Sequence, residues 1–132
     1  MTNETGPGIL AVQDIEALAA SGAIAAPRPF DGDQIQPASL DLRLATTAYR
    51  VRASFLPGPD LSVDAKIRAL TLHEIDITEG AVLETGCVYV VPLMEALSLP
   101  ADVSASANPK SSTGRLDIFT RVICDQARAF DT

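Results

Sequence analysis

Val103-Ser104-Ala105-Ser106-Ala107, then Asn108-Pro109-Lys110-Ser111-Ser112-Thr113-Gly114-Arg115-Leu116-Asp117, then Ile118-Phe119-Thr120-Arg121-Val122-Ile123 form an alternating stretch, a polar decapeptide and an apolar run. Alternation of apolar and polar residues is the period of a half-buried strand, so the decapeptide reads as a turn between two strand-like segments. It concentrates two cations, three hydroxyls and a glycine. Backbone N–H groups of such a turn can form an anion-binding concavity, and Gly114 can take the positive φ that the turn often requires. Lys110 adds a mobile point charge, and Arg115 a planar fork suited to two phosphate oxygens at once. Composition alone reads these residues as a solvated Ser/Thr turn; their shared chemistry reads them as a cradle for a phosphorylated ligand.

Upstream, Pro27-Arg28-Pro29 and Asp31-Gly32-Asp33 break the chain, after which Leu40, Leu42 and Leu44 alternate with Ser39, Asp41 and Arg43. Period two predicts a half-buried strand with Asp41 and Arg43 sharing the face opposite the leucines. A solvent-exposed ion pair there would be worth little. Residues 48–52 continue as a strand up to Pro57-Gly58-Pro59, whereas residues 64–72 fit a helical turn and the start of a strand equally well. Residues 75–77, 81–84 and 87–93 read as further strands, punctuated by Glu79-Gly80, Thr85-Gly86 and Pro92. At the front, residues 1–8 predict a fraying tail. Val12, Ile15, Leu18 and Ala19 then share one helical face, Gln13 and Glu16 point away, and Gly22 offers a stop. Many short strands with turn signals at close intervals, one amphipathic helix and no βαβ rhythm predict an all-β barrel or clip.

With 132 residues the chain suits one domain, burying on the order of two thirds of its unfolded surface in a single core. The net charge of −7 argues against a general nucleic-acid or anionic-membrane binder, which needs a basic face to neutralise phosphates. A free nucleotide needs only local cations. The final quarter supplies Lys110, Arg115, Arg121 and Arg128 against Asp102, Asp117, Asp125 and Asp131, while the rest carries the acidic excess. Apolar runs such as Val88-Tyr89-Val90-Val91 fall far short of the roughly 20 residues of a spanning helix, and the acidic N-terminus lacks a basic n-region. A soluble cytoplasmic protein is the expectation. Cys87 and Cys124, far apart and outside any C-x-x-C pair, read as small buried hydrophobes in a reducing compartment, with a disulfide between them left open. His73 beside Glu74 reads as a surface or structural residue, since no nucleophile signature accompanies it.

Lys110-Ser111-Ser112-Thr113-Gly114-Arg115-Leu116 resembles the (R/K)SSxxRL signature of dCTP deaminases, members of the trimeric dUTPase-like superfamily. Ile35-Gln36-Pro37-Ala38-Ser39-Leu40-Asp41-Leu42-Arg43-Leu44 resembles that family's PASxDLRL strand. The two stand in family order at about family spacing, and with Asp14-Ile15-Glu16-Ala17-Leu18 the similarity runs over nearly the whole chain. The resemblance implies a distorted jelly-roll or β-clip with a short N-terminal helix, and hydrolytic deamination of dCTP to dUTP and ammonia. It implies that Ser111 helps orient the water and the cytosine, that Arg115 holds a catalytic glutamate or the base region, and that Lys110 and Ser112 contact phosphates. It also implies magnesium carried on the triphosphate, dTTP as a possible inhibitor, a homotrimer with sites between subunits, and a structural polar role for Asp41 and Arg43 near a subunit contact. Zinc deaminases use H-x-E followed by P-C-x-x-C to activate water. His73-Glu74 lacks that spacer and Cys87 and Cys124 stand far apart, so zinc is not expected.

One departure is serious. In the family the general-base glutamate lies on a strand beyond the motif, after a Gly-aromatic-x-Gly turn, and Phe130-Asp131-Thr132 is reached before any such segment. Glu74, Glu79, Glu84 and Glu95 precede the motif and match nothing in that strand. The expectation is therefore a partial β-domain over residues 9–132, an N-terminal piece that does not turn over dCTP by itself. Three alternatives stay open: a dUTP diphosphatase, whose motif usually reads Ser-Gly-Leu-Ala, or a bifunctional deaminase-diphosphatase; a non-catalytic nucleotide-binding module; and an unrelated structural β-domain.

Overall fold

The computed structural model describes residues 6–125. In chain order the elements are α1 (Val12–Ser21), β1 (Ile24–Ala25), β2 (Thr47–Val51), α2 (Val63–Leu70), β3 (Thr71–Asp76), β4 (Val88–Val90), β5 (Ala96–Leu97) and α3 (Ser111–Arg115). They fall into two compact units, one built from residues 6–43 with Leu93–Ser104 and the other from Leu44–Pro92 with residues 105–125.

In the first unit α1 starts at Ala11, whose N–H donates to the Asp14 carboxylate at 3.1 Å. An acidic group in the first turn also meets the positive end of the helix dipole. Gly22 ends the helix in the left-handed region, φ 82°, with its N–H on the Ala19 carbonyl at 3.2 Å. Ile15 is buried, Val12, Leu18 and Ala19 are half-buried, and Gln13 and Glu16 are exposed, as the helical period predicts. The helix lies beside β1, which pairs antiparallel with β5 through Ile24↔Leu97 and Ala25↔Ala96.

The strand predicted over residues 40–44 does not form as a ladder. Gln36 N–H donates to the Ser39 carbonyl at 2.8 Å and Asp41 N–H to the Gln34 carbonyl at 3.0 Å, so this stretch turns back on itself around the isolated bridge Ile35↔Leu40. Leu40 is half-buried and Ser39 exposed, as expected, but the sidedness then fails: Leu42 is 38% exposed and Leu44 55%, while the Arg43 side chain is only 12% exposed. The cause is a buried carboxylate, described below, which requires a cation more strongly than the leucines require cover.

The second unit is a three-stranded antiparallel sheet in the order β3-β2-β4. Ala48 and Val51 of the central strand are buried, and Ile67 of α2 is buried in the same unit. The register slips between Arg50 and Val51, where Arg50 faces His73 and Val51 faces Thr71. Residues 64–72, ambiguous in sequence, are helix followed directly by strand. Ser62 caps α2 by accepting the Ala65 N–H at 3.1 Å, and the Thr71 hydroxyl donates to the Ile67 carbonyl at 2.6 Å as the chain leaves the helix. Ser62→Ala is expected to lower stability by about 1 kcal/mol, read as a shift of the urea midpoint at constant slope.

Other expectations are corrected. Residues 81–84 form no strand but an exposed loop, 88% exposed at Val82, flanked by Gly80 and Gly86 at positive φ. The loop is tied down by the Glu84 N–H on the Tyr89 hydroxyl at 2.9 Å and by the Arg50–Glu84 ion pair at 2.7 Å. The strand read over residues 87–93 shortens to β4, and neither residues 103–107 nor 118–123 are in a strand. A strand needs a neighbour to satisfy its backbone, and none of the described pairings involves these segments. Leu116, Ile118 and Phe119 stay exposed in consequence. Cys87 is half-buried and Cys124 exposed, both free, so the buried-hydrophobe reading fails for Cys124. The buried apolar residues divide between the units, Ile15 and Ile24 in one and Ala48, Val51 and Ile67 in the other, rather than forming the single core expected. The strands pair throughout in antiparallel fashion, as the all-β expectation requires, but α2 and α3 are added to the single front helix. No helix among the described residues is long and apolar enough to cross a membrane.

Candidate functional site

The hydroxyl-rich motif is a short helix rather than a turn. Lys110 is the N-cap of α3, and Gly114 N–H donates to the Lys110 carbonyl at 2.9 Å. Residues four apart on a helix stand one above the other, so Ser111 and Arg115 share a face, with Ser112 three positions from the arginine. Ser111, Ser112 and Arg115 are exposed and Thr113 is half-buried. Lys110, Ser111, Ser112 and Arg115 thus lie together on one short helix and its cap. α3 carries no carboxylate of its own. Positive φ falls not on Gly114, which is helical, but on Asp117 at φ 61°, because the left-handed residue is needed past the helix end. Of the cations counted in the final quarter, Arg128 lies outside the described residues, as does Asp131.

In the first unit a second polar cluster has a different character. The Glu95 side chain is fully buried. Its Oε1 accepts from Arg43 Nε at 2.8 Å and Gln34 Nε2 at 2.7 Å, and its Oε2 from the Arg43 backbone N–H at 2.8 Å. Arg43 also donates to the carbonyls of Pro29 at 2.9 Å and Arg28 at 3.3 Å, approaches Asp31 at 3.6 Å, and lies 5.8 Å from the Phe30 ring centre. Burial pushes the Glu95 carboxyl up, but the hydrogen bonds from Arg43 and Gln34 outweigh it and hold the group below its ordinary value. With its oxygens so occupied, Glu95 is a structural anion that pins residues 28–43 to the segment entering β5. Of the two readings of Arg43, the exposed ion pair fails and the structural polar role holds, but the sequence reading missed its partner Glu95. The available signal was one acid inside the apolar run Leu93-Met94-Glu95-Ala96-Leu97.

The remaining candidates separate. His73 is exposed on β3, as expected, and Glu84 is engaged by Arg50. An open hollow of about 490 Å³ in the second unit is lined by Tyr49, Asp64, Ile67, Arg68, Thr71 and Glu74, none of them from the motif.

The described strands pair only in antiparallel fashion, and the fold is all-β and dUTPase-like. A family model described as the 2'-deoxycytidine 5'-triphosphate deaminase (DCD) N-terminal domain matches residues 6–132, and the chain belongs to that family. A dCTP deaminase, dUMP-forming, of Beutenbergia cavernae is 33% identical over 112 residues, covering 85% of this chain and 57% of the relative. The dCTP deaminase of Haemophilus influenzae is 31% identical over 117 residues, covering 83% of this chain and 60% of the relative. The crystal structure of 2'-deoxycytidine 5'-triphosphate deaminase from Agrobacterium tumefaciens is 64% identical with a TM-score of 0.90, covering 94% of this chain and 37% of that one. The chain therefore spans under two thirds of the length of each of these proteins.

Proposed function

We propose that this chain is the nucleotide-handling portion of an enzyme that hydrolytically deaminates dCTP to dUTP and ammonia. The observation that supports the reading is α3 with its cap, which carries three hydroxyls and two cations in a chain that belongs to the DCD family. In this reading Lys110 and Ser112 contact phosphates, Ser111 orients water and cytosine, and Arg115 holds the base region or the general-base glutamate. That glutamate is sought on a strand C-terminal to the motif. The cations and hydroxyls of the motif suit the triphosphate, and magnesium would arrive bound to that triphosphate. The assembled enzyme would be a cytoplasmic homotrimer responsive to dTTP. A second reading, release of dUMP through an added diphosphatase step, is favoured by the Beutenbergia cavernae relative being named dUMP-forming.

Incubation with dCTP and magnesium, following ammonia and pyrophosphate separately and binding by calorimetry, tests these readings. Ammonia alone marks the deaminase, and ammonia with pyrophosphate marks the dUMP-forming reaction. Binding with no release marks a non-catalytic nucleotide-binding module. Failure to bind dCTP would overturn the assignment.

A further inference from the structure

α3 has only five residues and buries none of them. A helix this short is not stable by propensity, and Gly114 in its interior lowers that propensity further. Its geometry is therefore set at its ends rather than by packing. Beyond the C-cap Leu116, the Asp117 N–H donates to the Gly114 carbonyl at 3.0 Å and the Ile118 N–H to the Thr113 carbonyl at 3.4 Å. This is the pair of bonds that closes a helix when the next residue is left-handed, and Asp117, at φ 61°, is that residue. Among the described residues it alone has positive φ without being glycine. Such a backbone is uncommon for a residue with a Cβ, and Asp and Asn tolerate it best because their short polar side chains can hydrogen-bond locally.

The consequence reaches the motif directly. The carbonyls satisfied by this turn belong to Thr113 and Gly114, inside the run that carries Ser111, Ser112 and Arg115. If residue 117 left the left-handed region, both bonds would open and the last turn, with Arg115 on it, would unwind. We propose that Asp117 is a positioning residue of the nucleotide motif, holding Arg115 in register with Ser111 through its backbone conformation and not through its carboxylate. The proposal rests on the reading of α3 as a dCTP contact.

The test compares Asp117→Gly, Asp117→Asn and Asp117→Val, measuring amide exchange at Ile118 by NMR and dCTP–magnesium affinity by calorimetry. Glycine takes this conformation freely and asparagine tolerates it, so both should keep the parent affinity within about threefold, and glycine should slow Ile118 exchange. Valine should speed exchange and weaken affinity together, each by roughly 5- to 30-fold, with the thermal midpoint nearly unchanged because α3 buries nothing. Rescue by glycine is the signature that a general structural role would not give. Unchanged binding in Asp117→Val overturns the proposal, as does lost binding in Asp117→Gly, which would place the role in the carboxylate. If the parent itself binds no dCTP, the functional reading fails while the exchange arm still decides: equal Ile118 exchange in the glycine and valine variants removes the positioning role, and a retained contrast keeps it.

Discussion

Arg43→Met is expected to destabilise the chain by about 3–5 kcal/mol, because it leaves a buried carboxylate without its cation. Glu95 would keep the Gln34 amide at 2.7 Å and the backbone N–H of residue 43 at 2.8 Å, but no cation. Glu95→Ala should cost less, since Arg43 retains the Pro29 and Arg28 carbonyls and can draw on the exposed Asp31 at 3.6 Å. Pairing Arg43→Met with Glu95→Leu should recover much of the loss, because two apolar residues replace two charges and neither is stranded. Urea denaturation of the four proteins checks this. A double variant as unstable as the sum of the singles would show that the pair is not coupled. The pH dependence has a definite sign. The Glu95 carboxyl is held below its ordinary value of 4.5, so its stabilisation is complete above that value and is lost as pH falls through the lower folded value. Arg43→Met removes the guanidinium hydrogen bond but leaves the backbone N–H of residue 43 and the Gln34 amide in place, so only part of the hold on the carboxyl is lost and part of the acid loss should move to higher pH.

The same cluster explains what the sequence could and could not reveal. α1 was legible because everything that makes it lies within a dozen residues: the apolar face, Asp14 at the first turn and Gly22 at the end. Arg43 was not, because its partner Glu95 is 52 residues away and no local window contains both. The leucine alternation over residues 40–44 is real in sequence but is overruled by that distant charge. Residues 64–72 were ambiguous for another reason: α2 ends at Leu70 and β3 begins at Thr71, so a window across the junction mixes two periods. The motif at residues 110–116 was legible as a set of residue types but not as shape. Ser, Thr and Gly favour turns, yet Ser111–Arg115 closes one helical turn because a left-handed residue follows it, and an aspartate at that position carries a weaker signal than a glycine would.

Arg115→Ala is expected to weaken dCTP–magnesium binding by about 1.5–3 kcal/mol, the range for hydrogen bonds to charged groups, or roughly 10- to 150-fold. Stability should hardly change, since α3 buries no residue. Arg115→Lys keeps the charge but not the fork, so it should recover only part of the loss. Lys110→Ala should cost less, and its effect should fade as salt rises, because an exposed point charge is screened within about 8 Å at physiological ionic strength. Titrating each variant with dCTP and with inorganic tripolyphosphate separates the two roles. If Lys110 meets phosphates, its loss is the same for both ligands; if Arg115 meets the base region, its loss is larger for dCTP. Equal losses for both variants with both ligands, and equal salt dependence, would reduce the motif to a diffuse positive patch. A diffuse patch has no reason to place a planar guanidinium one helical turn from Ser111, so the ratio of the two Arg115 losses is the quantity on which the deaminase geometry stands.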